Sequence, residues 1–132
     1  DRGRCRRAAA RGAELVIDNP REWGLRWLAH WNNHDLDGVV AYFADDVIFT
    51  SPLAPRILDG SDGMLRGIAE VRAYFARGFE LMPELHFELV DLHAGVDTLV
   101  FRYRDMAGVE VDDVLIFEGA RVVRGSGNYP VA

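Results

Sequence analysis

The stretch His34-Asp35-Leu36-Asp37-Gly38-Val39-Val40-Ala41-Tyr42-Phe43-Ala44-Asp45-Asp46-Val47 decides the fold. Asp35 is a good helix cap and opens a short helix, Leu36 to Phe43, with Val39, Val40 and Phe43 inward. Ala44-Asp45-Asp46 closes it, and the β-branched run Val47 to Thr50 reads as a strand. Before it, Asn19 and Pro20 suit a helix start, and Trp23, Trp27, Leu28 and Trp31 fall on one face of a helix ending near Asn32 to His34. After it, Ser51 to Arg66 holds two prolines and two glycines and reads as a long loop, of the kind that is functional or able to act as a lid.

Gly67 opens a third helix that carries Ile68, Val71, Tyr74, Phe75 and Phe79 on one stripe and that Pro83 ends. Four alternating stretches follow: His86 to Leu92, Asp97 to Arg104, Val109 to Phe117 and Arg121 to Tyr129. Helices followed by a strand meander imply an α+β domain, three N-terminal helices packed on one face of a curved antiparallel sheet.

The 132 residues suffice for a single domain with its own core. Fifteen basic residues, all Arg, stand against 21 acidic ones, for a net charge of -6. Five of those Arg lie in the first eleven residues beside Asp1 alone, which leaves 10 basic against 20 acidic residues from position 12 onward. Residues 1–19 are therefore expected to be an appended, mobile, Arg-rich arm whose start has been trimmed, and 20–132 the domain. So acidic a body lacks the electrostatic footprint of a nucleic-acid or anionic-membrane binder. The lone Cys5 excludes an internal disulfide. No apolar run is long enough to span a bilayer, and a cytoplasmic location is expected.

The opening segment resembles the helix-helix-strand start of the nuclear transport factor 2-like superfamily, which includes ketosteroid isomerases, SnoaL-like cyclases, limonene epoxide hydrolase and scytalone dehydratases. A Ser-Pro after the first strand, Leu65-Arg66-Gly67 before the third helix, and Gly127-Asn128-Tyr129 near the end agree with it. The resemblance spans roughly residues 20 to 130. It implies a cone, a bent sheet wrapped around helices with a pocket inside, and a homodimer packed through the sheet. Activity varies across this fold, so function has to come from the site.

Steroid isomerases use a general-base Asp and an oxyanion hole of one Tyr and one protonated Asp. Aligned on Asp35-Leu36-Asp37-Gly38, the resemblance puts Trp27 at the Tyr, Ser51 at the base and Asp113 at the protonated Asp, so one of three matches. The epoxide-hydrolase Asp-Arg-Asp set is also incomplete: Arg102 and Arg104 are on a suitable strand, but Gly127 takes the place of the terminal Asp.

Asp113 is the leading candidate acid or base, because period-two parity puts it with Val109, Val111, Leu115 and Phe117 on an apolar face. The alternative is a structural Asp bonded to an Arg or a Trp N–H. The resemblance favours the Val100 face of its strand as interior, which would aim Arg102 at the pocket as an oxyanion or anion partner; the alternative puts both Arg102 and Arg104 on an exposed face. Trp27, Trp31, Phe43, Ser51 and Asn128 are candidate ligand contacts, with Trp27 a substitute oxyanion donor; the alternatives are helix-face core for Trp27, Trp31 and Phe43, and the dimer interface in place of the pocket for Asn128 and Tyr129. His30 and His34 have metal-binding spacing but no third ligand near them, so no metal and no organic cofactor is expected.

The expected function is that of a SnoaL-like protein binding a small, largely apolar molecule in an enclosed pocket and catalysing acid–base isomerisation, cyclisation or hydrolysis. The alternatives are a non-catalytic ligand-binding or dimerisation module of the same fold, and a protein-transport adaptor.

Overall fold

The computed structural model describes residues 17–131. Residues 1–16 of the expected arm, Cys5 among them, lie outside that range. Ile17, three residues before Pro20, packs against the core.

Helix α1 (Pro20–Asn32) starts as its sequence dictates: the Asn19 side chain accepts the Glu22 N–H at 3.1 Å, and Pro20 occupies the first turn. Trp23, Trp27, Leu28 and Trp31 form its buried face. Asp35 caps α2 (Leu36–Val40) by accepting the Gly38 N–H at 3.0 Å. Strand β1 (Phe43–Thr50) begins earlier than its β-branched run suggests, so Phe43 belongs to the strand and not to the helix.

The supposed loop after Ser51 contains a turn of helix, α3 (Ala54–Ile57), and a strand, β2 (Met64–Arg66), that pairs with β1 through Thr50 and Met64. The Ser51 N–H also donates to the Gly63 carbonyl at 3.0 Å. These ladder bonds make the segment part of the sheet and the cavity wall, not a free lid. Gly67, at φ 86°, permits the sharp entry into α4 (Ile68–Leu81).

The rest is a meander of β3 (Glu88–Ala94), β4 (Thr98–Arg104), β5 (Glu110–Glu118) and β6 (Arg121–Asn128). The sheet order is β2-β1-β6-β5-β4-β3. One expectation needs correcting: β1 runs parallel to β6, so the sheet is mixed. The chain returns to β1 only after four strands, and no local pattern in the sequence reports a pairing that distant. Register shifts in the β1–β6, β3–β4 and β5–β6 pairs bend the strands, and the curved sheet stays open at its β2 and β3 edges.

The concave face closes over α1 and α4. Trp27 meets Phe101 edge-on at 5.8 Å and Trp31 meets Phe75 at 4.7 Å. This aromatic layer fills one end of the cone and leaves a void at the other. No helix is long and apolar enough to cross a membrane among the described residues.

Candidate functional site

Strand β5 alternates strictly, with Val111, Asp113, Leu115 and Phe117 buried on the concave side. Asp113 therefore enters the apolar interior because its strand parity leaves it no alternative. It faces a small, mostly apolar cavity that opens to solvent at its mouth. Trp31, Phe49 and Phe75 form much of the apolar wall, while Ser51, Tyr74, Tyr103 and Tyr129 bring hydroxyls.

Three neighbouring strands build the polar end. Asp113 on β5 pairs with Gly127 on β6, and Thr50 of β1 pairs with Ser126, which brings Ser51 alongside Gly127. A Cβ at Gly127 would lie 3.5 Å from Asp113 Oδ1 and 3.6 Å from Ser51 Oγ. Glycine thus leaves an open recess between an acid and a hydroxyl. Ser51 Oγ accepts the Tyr74 hydroxyl at 2.9 Å and the Leu53 N–H at 3.2 Å. With both acceptor positions used, its own proton points elsewhere, and the Tyr129 phenol lies within hydrogen-bonding reach of both Ser51 and Tyr74.

Burial pushes the Asp113 carboxyl up to about 8, and the negative charge of neighbouring Asp112 adds to the effect. No hydrogen bond contributes to that shift. No fully buried side-chain oxygen lacks a partner among the described residues, so the Asp113 oxygens must open onto the void. At neutral pH the group is a neutral carboxylic acid able to donate a hydrogen bond. Burial likewise raises the Tyr74, Tyr103 and Tyr129 phenols above their ordinary range, and repulsion from Asp113 contributes at each. All three are neutral donors at physiological pH.

The other sequence candidates divide. Trp31 lines the cavity, as does Ser51. Trp27 does not: its indole N–H donates to the Val39 carbonyl at 3.2 Å in the core, which leaves nothing for a ligand. Phe43 packs between Trp27 and Phe49 as core. Arg102 is exposed on the convex face and grips Asp112 through two bonds of 2.8 and 3.0 Å. The interior side of β4 is the one bearing Leu99, Phe101 and Tyr103, because burying those apolar groups is favourable whereas desolvating the Arg102 and Arg104 guanidiniums would be costly. Asn128 is also on the convex side, bonded to the Asp112 carbonyl at 3.1 Å and to Ser126. The histidines have structural partners: His30 meets Asp35 and Tyr42, and His34 bonds the Leu85 carbonyl. No cluster of three or more metal-ligating side chains exists among the described residues.

The residues missed as site groups are Tyr74 and Tyr103. Tyr103 shares strand parity with Leu99 and Phe101, so weighing the apolar content of the two β4 faces identifies it. Tyr74 sits on the helix stripe with Val71 and Phe75, and nothing in its spacing separates a pocket phenol from a core ring.

A sequence profile described as a SnoaL-like domain matches residues 25–125. The chain belongs to the SnoaL-like family. A SnoaL-like protein of unknown function from Burkholderia thailandensis E264 is 32% identical, with a TM-score of 0.81 over 89% of this chain and 100% of that one. AclR, a putative hydroxylase from Streptomyces galilaeus, shares the fold at 19% identity and a TM-score of 0.67, covering 84% and 88% of the two chains. TerC, co-crystallised with polyporic acid, does so at 14% identity and a TM-score of 0.67, over 85% and 92%. No curated protein matches this SnoaL-like chain.

Proposed function

We propose that this SnoaL-like protein binds a small, largely apolar molecule bearing a carbonyl or enol oxygen, with Asp113 as general acid in an isomerisation or cyclisation. The observation that carries this reading is the neutral Asp113 carboxyl opening into an apolar void beside Ser51 and three tyrosines. The neutral Asp113 carboxyl and the hydroxyls not already spent within the protein can donate at that end, which suits an acceptor atom on the ligand. A carbonyl oxygen gaining negative charge is stabilised most, because the donors are already in place and shielded from water. Asp113 gives its proton to that oxygen as a water at the open mouth takes the adjacent C–H proton; water then returns a proton to another carbon while the enol O–H gives its proton back to Asp113, which regenerates the acid. TerC, which shares the fold, was crystallised with the small molecule polyporic acid. A homodimer joined through the convex sheet face, working in the cytoplasm, completes the reading; half-buried Val100, Val114 and Ile116 on that face support the dimer.

A non-catalytic binder is the second reading. It is favoured by one observation: among the described residues, no carboxylate or imidazole other than Asp113 lines the cavity to serve as base.

Deuterium exchange at the enolisable positions of β-tetralone, followed by NMR in heavy water, separates the two. Catalysis predicts exchange faster than in buffer, falling as pH rises through about 8 and lost in Asp113→Asn. Binding of the ketone without faster exchange supports the non-catalytic binder. Absence of binding overturns both.

A further inference from the structure

The mouth of the cavity continues into a second, open groove. Leu53 and Tyr129 belong to both, and Pro52, Arg56, Pro130 and Val131 complete the groove. Arg56 lies on α3, one residue before Ile57 and three after Leu53, both of which line the cavity. Its side chain is exposed and, like Arg21, Arg121 and Arg124, enters no ion pair among the described residues, whereas Arg26, Arg66, Arg72, Arg77, Arg102 and Arg104 do; of the four that do not, Arg56 is the one that lines this groove. In a body with twice as many acids as bases, an arginine with no carboxylate partner beside the mouth of an apolar cavity has its guanidinium donors available to an anion. The guanidinium suits a planar oxyanion held by two parallel hydrogen bonds. The interior end of the cavity holds only neutral groups at physiological pH, so it does not repel such a ligand.

The geometry points to a ligand with two ends: an apolar, carbonyl-bearing body in the cavity and a carboxylate or similar oxyanion held at the mouth by Arg56. Arg56 is then the residue that selects anionic ligands over their uncharged analogues. This deepens the proposed function and depends on its placing the ligand body in the cavity. It makes no claim about whether the ligand is turned over. Entry is directional: the apolar body goes in first, and the anion keeps part of its hydration at the rim. That arrangement avoids the penalty of burying a charge in the cone.

The test uses anilinonaphthalene sulfonate and its uncharged parent, N-phenylnaphthylamine, titrated against the full chain by probe fluorescence. The wild-type protein should prefer the sulfonate. Arg56→Gln should reduce the sulfonate-to-neutral affinity ratio about tenfold, Arg56→Lys should reduce it less, and Arg56→Glu should invert it. Added salt should weaken the sulfonate alone. Arg56 is exposed, so these variants do not disturb the core. An unchanged ratio in Arg56→Gln overturns the inference. Gly127→Leu distinguishes that failure from failure of the underlying reading, because it occupies the cavity and should weaken both probes. If Gly127→Leu leaves both affinities unchanged, or if neither probe binds the wild type, the cavity is not the binding site and both readings fall.

Discussion

Asp113 and Gly127 face each other across β5 and β6, and the side chain that Gly127 lacks would begin 3.5 Å from the Asp113 carboxyl. The pairing creates the recess, since any larger residue would fill the space between the acid and Ser51. Gly127 does not have a positive φ, so alanine meets no backbone strain there, and its Cβ contacts are all of ordinary van der Waals length. Gly127→Ala should therefore fold with a melting temperature near wild type. It should weaken binding of β-tetralone several-fold. Thermal melts beside ligand titrations check the two halves separately, and a lost fold with intact affinity in the folded fraction would contradict the recess.

The raised carboxyl makes stability depend on pH in a defined direction. Folded Asp113 keeps its proton up to about 8, while the unfolded chain releases it near 3.8. Between those values the native state holds the extra proton, so its contribution to stability falls as pH rises and levels off above about 8. The slope approaches about 1.4 kcal/mol per pH unit inside that window. Asp113→Asn abolishes this slope, so the variant should gain on wild type steadily from pH 4 to 8. Urea denaturation across that range measures it. Equal slopes for the two proteins would mean an ordinary Asp.

How much of this could be read from the sequence depended on whether the signal was local. The caps at Asn19 and Asp35, the Trp stripe and the parity that drives Asp113 inward all follow from neighbouring residues, and each proved right. The parallel β1–β6 pair, and with it the juxtaposition of Ser51, Gly127 and Asp113, depends on strands some eighty residues apart. Arg102 failed for a different reason. The resemblance favoured the Val100 face of β4, whereas the sequence itself put the larger apolar groups, Phe101 and Tyr103, on the other. Burial of apolar area settled the choice.

On the convex face, Asp112 acts on Asp113 at a distance. Arg102 holds the Asp112 carboxyl below its ordinary range, so Asp112 is charged throughout the window in which Asp113 titrates, and its charge pushes Asp113 up. Asp112→Asn should therefore move the Asp113 midpoint downward, as followed by carboxyl carbon shifts in NMR. Arg102→Ala should cost no more than about 1 kcal/mol of stability, because the pair is partly solvated. Ligand affinity should not change, which is the opposite of what an Arg102 inside the pocket would give.

Helix α1 lies against β4 so closely that Gly24 has no room for a side chain: a Cβ would come 2.5 Å from Cε2 of fully buried Phe101. Phe101 is hemmed in by Trp27 and Tyr103 and cannot swing away. Gly24→Ala should cost about 2 kcal/mol through overpacking, even though alanine is the better helix former. A lower denaturation midpoint with an unchanged urea slope is the expected signature.

The last prediction concerns the hydroxyl that orders the recess. Tyr74 donates to Ser51 Oγ at 2.9 Å, and this bond fixes Ser51 as an acceptor on that side. Tyr74→Phe removes the donor without changing ring packing against Phe49 and Phe75. Ser51 keeps the Leu53 N–H, so the stability loss should be near 1 kcal/mol, the usual net value of one such bond. The larger effect should be on the ligand. Freed of Tyr74, the Ser51 hydroxyl can rotate, and the hydroxyls at the polar end lose their fixed order. Affinity for β-tetralone should drop more than affinity for tetralin, the hydrocarbon of the same shape. Equal losses for both would assign Tyr74 to packing alone, and a loss confined to the ketone would assign it to oxygen recognition.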